Sequence, residues 1–156
     1  MKKIPLTQGQ YALVDDEDYE RVNQFKWYAH FSHRTNSFYA TRKTKRPNQT
    51  QIYMHRVIMN TSNSMLCDHV NHNTLDNRKH NLRNCTIAQN LMNRGIQSNN
   101  KLGVKNVHIS KNNTFVVAIQ ANNKRVFNKR FATLEEAIEA RDEAIKKYHG
   151  EFANTD

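Results

Sequence analysis

The sequence predicts an α+β chain built from two modules. Short runs rich in β-branched and aromatic residues are separated by Asn, Ser and Gly, the pattern of strands joined by tight turns. Three other segments carry helix-start signals, namely acids in a first turn or a threonine cap before an apolar periodic stretch. Between these signals, residues 94–103 are polar and hold two glycines, which makes them the linker candidate. The modules are then residues 1–97 and 98–156.

In chain order, Ile4-Pro5-Leu6 and Gln10–Val14 read as short extended pieces. Asp15-Asp16-Glu17 opens a helix over 16–24, with acids where the helix dipole favours them. Lys26–Phe31 and Ser37–Arg42 are strands of a hairpin that turns at His33-Arg34-Thr35-Asn36. Ile52–Met59 fits either a third strand or a short helix. Thr86 can cap a helix over 87–94, placing Asn90 and Asn93 on one face at i, i+3. Beyond the linker, Val104–Ile109, Phe115–Ala121 and Arg125–Phe131 have strand character, with Lys111-Asn112-Asn113 and Asn122-Asn123 as turns. Thr133 and Glu136 form a capping box for a helix whose Ala137, Ala140, Ala144, Ile145 and Tyr148 share one face. Gly150 stops it.

Composition narrows the function. The 156 residues carry 24 Lys+Arg against 14 Asp+Glu, a net charge of +10. Hydrophobic residues are only 37%, and no apolar run approaches the roughly 18–20 residues of a membrane span. Met1-Lys2-Lys3-Ile4-Pro5 lacks the apolar stretch of a secretory signal. Two cysteines cannot build a disulfide framework or a Cys₄ zinc site. A basic cytoplasmic protein with a polyanionic partner is the expectation. The charge is also segregated. Residues 21–67 hold eight basic residues and no acid, residues 101–131 hold seven and no acid, and residues 132–156 hold seven acids against three basic residues. Two acid-free blocks suit two phosphate-facing surfaces.

Residues 67–93 carry the chemistry. Hydrolysing a phosphodiester needs a base that works near neutral pH, which histidine supplies. It also needs a hard divalent cation, which takes Asp or Asn oxygens. Asp68-His69 places a ligand and a base side by side. On an extended strand their side chains point to opposite faces, so the pair must sit at a strand end or bend for both to reach one phosphate. A helix at 87–94 can lay Asn90 across from Asp68. His69, His72 and His80 with Cys67 or Cys85 form an alternative zinc set, although their spacing is not that of known zinc sites.

His55-Arg56, Asp68-His69, Asp76-Asn77-Arg78, Asn81-Leu82-Arg83 and Gln89-Asn90…Asn93 together resemble the HNH endonucleases, most closely the phage and intron-encoded homing type. The resemblance covers roughly residues 4–93 and includes Ile4-Pro5-Leu6-Thr7 and Trp27-Tyr28-Ala29. With 21 asparagines in the chain, a lone Asn-x-x-Asn says little. The joint spacing from Asp68-His69 to Asn81 to Asn90 says more. The resemblance implies a ββα-metal (His-Me finger) nuclease module with its core at about 52–94, holding one divalent ion, Mg²⁺ or Mn²⁺, and no structural zinc. It implies Asp68 and Asn90 as metal ligands, His69 as general base, and Asn81 as the residue that orients His69. Arg83 would contact phosphate, His55 would support the site or touch the DNA backbone, and Asn93 would join the DNA-binding set.

The C-terminal module carries a second resemblance. Gly103–Val107, Thr114–Ile119, Lys129–Ala137, Ala140–Ala144 and His149-Gly150-Glu151-Phe152-Ala153 look like the plant ethylene-response-factor (Apetala-type) DNA-binding domain. That domain is a three-stranded antiparallel sheet packed on one helix, with the sheet laid in the major groove. Phe115 stands where that family has tryptophan and Gln120 where it has arginine, so no base preference carries over. Lys105, His108, Lys111, Gln120, Arg125, Lys129 and Arg130 are the DNA-facing candidates, most of them toward phosphates. The combined expectation is a site-specific homing endonuclease on double-stranded DNA, a monomer or weak dimer encoded by a phage or mobile element and acting in a bacterial host. A DNA-binding regulator with a decayed nuclease site is the alternative. Binding or cleavage of RNA is a third reading.

Overall fold

The computed structural model describes residues 1–97 and 99–155. Ser98 and Asp156, the two ends of the expected second module, lie outside them. The chain forms two compact units, Met1–Cys85 and Thr86–Asp156. The division falls earlier than the polar stretch at 94–103, because the helix that follows Thr86 packs against elements of the C-terminal sheet unit.

In the first unit, β1 (Lys2–Pro5) pairs antiparallel with β2 (Tyr11–Val14), and α1 (Asp16–Asn23) follows. Three acids sit in the first turn of α1 and Arg21 in its last, both favourable for the dipole. β3 (Tyr28–Ser32), β4 (Ser37–Lys43) and β5 (Gln51–Tyr53) form an antiparallel sheet in that order, with the expected turn at 33–36. Residues 52–59 hold both alternatives in succession: β5 runs directly into α2 (Met54–Ile58). β6 (Leu66–His69) and β7 (Leu82–Cys85) then make an antiparallel hairpin, with a 3-10 turn at Lys79–Asn81 inside its loop. Ile4, Val14, Val22, Trp27, Met54, Ile58 and Leu82 form the core, each large side chain contributing about 1.5–3 kcal/mol by burial. The Trp27 indole donates to Val22 O at 2.8 Å, so its one polar group is satisfied.

The second unit opens with α3 (Ile87–Met92). Thr86 caps it, and Gln89 completes a capping box. β8 (Val107–Ile109), β9 (Phe115–Ala121) and β10 (Lys124–Phe131) form an antiparallel sheet with β9 in the centre. β8 is shorter than the expected 104–109, because Asn106 turns into the left-handed region at φ 62° and breaks the extended run. α4 (Leu134–His149) starts at the Thr133–Glu136 capping box and ends at Gly150, whose φ of 54° favours glycine. Its Ala137, Ala144 and Ile145 pack with Val107, Val117 and Ile119.

Among the described residues, positive φ outside glycine falls on Gln8, His72 and six asparagines: Asn36, Asn60, Asn106, Asn113, Asn122 and Asn123. Asparagine tolerates this region better than other side chains. No helix among the described residues is long and apolar enough to cross a membrane.

Candidate active site

Asp68 and His69 are the last two residues of β6, at the end of the hairpin. The register pairs Asp68 with Arg83 and His69 with Leu82, so the neighbours face opposite sides, as extended backbone dictates. The strand stops there. His72 N donates to His69 O at 3.1 Å, and His72 adopts φ 63°.

His69 is 5% exposed. Its ring meets His55 edge-on at 4.9 Å between centroids, and Tyr39 at 6.1 Å. Burial lowers the His69 pKa below the ordinary histidine value, opposed by its contact with Asn77 and by the Asp68 and Asp76 charges. His69 is therefore a neutral imidazole near neutral pH, as a proton acceptor must be.

His55 was expected to support the site or touch the DNA backbone. It is 7% exposed and packs against Tyr53, Tyr39 and His69. Its pKa drops to about 3, through burial first and then the His69 and Arg56 charges. It stays uncharged beside His69 and places no competing proton there.

The loop between β6 and β7 is closed by its own asparagines. Asn81 Nδ2 donates to Asp76 O at 2.8 Å, and Asn81 Oδ1 accepts from Asn71 N at 2.9 Å. The Asn81 backbone oxygen takes Val70 N at 2.8 Å, directly after His69. Asn81 thus fixes the backbone around the histidine. The residue whose side chain meets the His69 ring is Asn77, with Oδ1 3.5 Å from Nε2. Asn77 belongs to the quoted Asp76-Asn77-Arg78 triplet, yet nothing local in the sequence marks it for this contact. Asp76 beside it is buried and held by Arg78 through Nε at 2.7 Å and Nη2 at 2.6 Å, which lowers its pKa.

Arg83, expected to meet phosphate, instead holds Asp68. Its Nη2 and Nε lie 2.9 and 3.1 Å from Asp68 Oδ2, and both side chains are largely covered. The expected metal ligands Asp68 and Asn90 supply a carboxylate and an amide oxygen, hard donors of the kind Mg²⁺ and Mn²⁺ take. Asp68 is on β6 in the first unit, and Asn90 is on α3 in the second. Among the described residues, no group of three or more His, Cys, Asp or Glu is placed to hold a metal ion. Cys67 and Cys85 are free thiols, both pushed up to about 11 by burial.

The C-terminal candidates divide by register. His108 pairs with Val116 and Arg130 with the same Val116, while Arg125 pairs with Gln120. Directly opposed residues share a face, so His108, Gln120, Arg125 and Arg130 lie on the face away from Val117 and Ile119, the residues that pack on α4. All four are exposed. Lys129 pairs with Val117 and so belongs to the helix-side face of edge strand β10; its ammonium lies 5.5 Å over the Phe127 ring. Lys111 is exposed in the β8–β9 turn. Lys105, expected to face DNA, is placed differently from the other candidates. It is 9% exposed, and its Nζ donates to Met92 O and Asn154 O at 2.8 and 2.9 Å, tying the end of α3 to the C-terminal tail. Asn93 is buried as well, with its oxygen accepting from Asn154 Nδ2 at 2.8 Å.

Comparison with known proteins bears on this geometry. Over 147 residues the chain is 29% identical to a protein of Acanthamoeba polyphaga mimivirus named as an uncharacterized HNH endonuclease, an alignment spanning 93% of this chain and 74% of the relative. This similarity supports a nuclease of the HNH family. No protein-family model and no solved structure matches the chain.

Proposed function

We propose that the chain is a metal-dependent DNA endonuclease of the HNH homing type, with Asp68-His69 at its centre. The observation that carries this reading is the placement of Asp68-His69 at the end of a β-hairpin whose loop is closed by Asn81. The similarity to the viral protein named as an HNH endonuclease supports it.

In this reading His69 accepts a proton from water. The water oxygen bonds to phosphorus as the bond from phosphorus to the 3′ oxygen breaks. The 3′ oxygen leaves with that electron pair and takes a proton from solvent. The ends are a 5′-phosphate and a 3′-hydroxyl. Asp68 is the residue of the first unit that would hold a divalent ion, Mg²⁺ or Mn²⁺, which when bound would supply positive charge against the phosphate. Asn81 keeps the His69 backbone in place. His108, Gln120, Arg125 and Arg130 face the duplex from the sheet of the second unit, and Lys111 and Lys129 reach phosphates from its margin. This sheet has the role expected of an Apetala-type domain. One such centre cuts one strand, so a monomer nicks.

Supercoiled plasmid incubated with the protein and Mg²⁺ or Mn²⁺ tests the reading. Nicked circles that vanish with EDTA are expected. Intact plasmid across a library of sequences, together with tight DNA binding, would reject the nuclease and favour a DNA-binding regulator.

A further inference from the structure

We propose that Tyr39 is a further catalytic residue of the cutting site, its hydroxyl donating a hydrogen bond to a non-bridging oxygen of the phosphate that docks beside His69. The inference rests on the reading of Asp68-His69 as the centre of that site.

Tyr39 lies in β4, where side chains alternate. Ala40 turns into the core, so Tyr39 and Thr41 face the other side of the sheet. The strand is paired on both edges, with Tyr39 opposite His30 of β3 and Thr41 opposite Tyr53 of β5. The Tyr39 ring is then held by others. Tyr53 meets it edge-on at 5.9 Å between centroids, His55 lies at 5.8 Å, and His69 meets it edge-on at 6.1 Å. A ring packed in this way loses its freedom on folding rather than on binding, so its hydroxyl is aimed before a substrate arrives. Among the described residues, nothing hydrogen-bonds that hydroxyl, and it is not sealed off, since Tyr39 is partly exposed. Tyr28, opposite Thr41 on the same face, differs: its hydroxyl is buried. Tyr39 thus presents a fixed and unspent donor beside the candidate base.

The reach is right for a phosphate. A base stands about 3 Å from the water it activates, and that water about 3 Å from the phosphorus it attacks. The phosphate therefore docks within roughly 6 Å of the His69 ring, the separation at which Tyr39 stands from it. His69 is 5% exposed, so its open edge is narrow. Of the two rings packed edge-on to it, His55 is buried and Tyr39 is partly exposed, which makes Tyr39 the one that borders the opening. Residues 21–67 hold no acid, so the sheet that carries Tyr39 sets no anion of its own against the phosphate. As water attacks, negative charge grows on the non-bridging oxygens, and an O–H already aimed at them is worth more there than in the ground state. Tyr39 keeps its hydrogen throughout, and no bond to the phenol oxygen forms or breaks.

Tyr39→Phe removes the hydroxyl and keeps the ring with its contacts. Plasmid nicking should fall roughly 10- to 100-fold in kcat, while KM and gel-shift affinity stay within about twofold and the urea midpoint is unchanged. Tyr53→Phe, which alters the neighbouring ring, should nick within about twofold of wild type. Unchanged nicking by Tyr39→Phe overturns the inference. A loss carried by KM alone overturns it too, because the contact is then made equally in the ground state. So does an equal loss in Tyr53→Phe, which would trace the effect to the ring stack. Absence of nicking by the wild-type protein rejects the nuclease reading instead. The contact is then decided by ¹³C-labelled tyrosine rings, assigned with Tyr39→Phe and titrated with a short synthetic duplex in EDTA. A shift of the Tyr39 signals supports a phosphate at the hydroxyl, and unmoved signals at saturating duplex overturn it.

Discussion

Asp68 and Arg83 stand opposite each other in the β6–β7 register, and the Arg83 guanidinium holds Asp68 Oδ2 from two nitrogens, at 2.9 and 3.1 Å. A carboxylate expected to bind a divalent ion is thus already neutralised by a resident cation. Replacing Arg83 with Gln removes that cation. Manganese binding without DNA, followed by electron paramagnetic resonance, should tighten severalfold. Stability should drop by about 1–3 kcal/mol, because a largely covered carboxylate loses its charged donor. Weaker or unchanged manganese binding would mean that Arg83 and the ion do not share Asp68.

His69→Ala should lower nicking by roughly 10²- to 10⁴-fold while leaving DNA affinity nearly intact, since the buried ring carries no charge toward phosphate. Gel-shift and plasmid assays on the same preparation separate the two effects. Unchanged nicking would remove His69 from the reaction.

His55 links stability to pH. Its pKa falls from 6.5 unfolded to about 3 folded, under burial and the His69 and Arg56 charges. Between those values the unfolded chain binds the additional proton, so stability rises with pH there. Its contribution is complete above pH 6.5 and declines by up to about 1.4 kcal/mol per pH unit as the pH drops toward 3. Urea unfolding over this window should show the slope, and His55→Phe should flatten it. An equal slope in that variant would place the linkage elsewhere.

Lys105 and the exposed arginines should behave in opposite ways. Lys105→Met leaves Met92 O and Asn154 O without their ammonium donor and should cost about 1–3 kcal/mol in stability. DNA affinity should change little. Arg125→Ala and Arg130→Ala should leave stability within about 0.5 kcal/mol. Each should weaken DNA binding and reduce the slope of affinity against salt by about one. A Lys105 variant that is stable but fails to bind DNA would return that residue to the interface.

What the sequence disclosed was local. Thr133 with Glu136, and Thr86 ahead of the helix at 87–94, were legible as caps because a cap lies beside the helix it opens. The hairpin turn at 33–36 was legible for a similar reason. Lys105 and His55 were not, since their burial depends on segments far along the chain: Asn154 in one case, Tyr39 and His69 in the other. The Asp68–Arg83 pair needed the hairpin register. Asn77 lay inside a motif that was recognised, but only the fold turns its oxygen toward a histidine, and polarity alone does not distinguish it from 20 other asparagines.

Many of those asparagines answer a different demand. The chain has only four glycines, and among the described residues six asparagines occupy left-handed backbone where glycine is the usual choice. Asparagine accepts that geometry with some strain, but it roams less than glycine when the chain is unfolded. Exchanging Asn36, Asn113 or Asn122 for Gly would relieve each bend and at the same time enlarge the ensemble that folding has to collapse. The net change at each turn should therefore be small. The asparagine bias that obscures the candidate site motif is, in these bends, a way of making a loop-rich chain turn sharply while keeping its disordered state restricted.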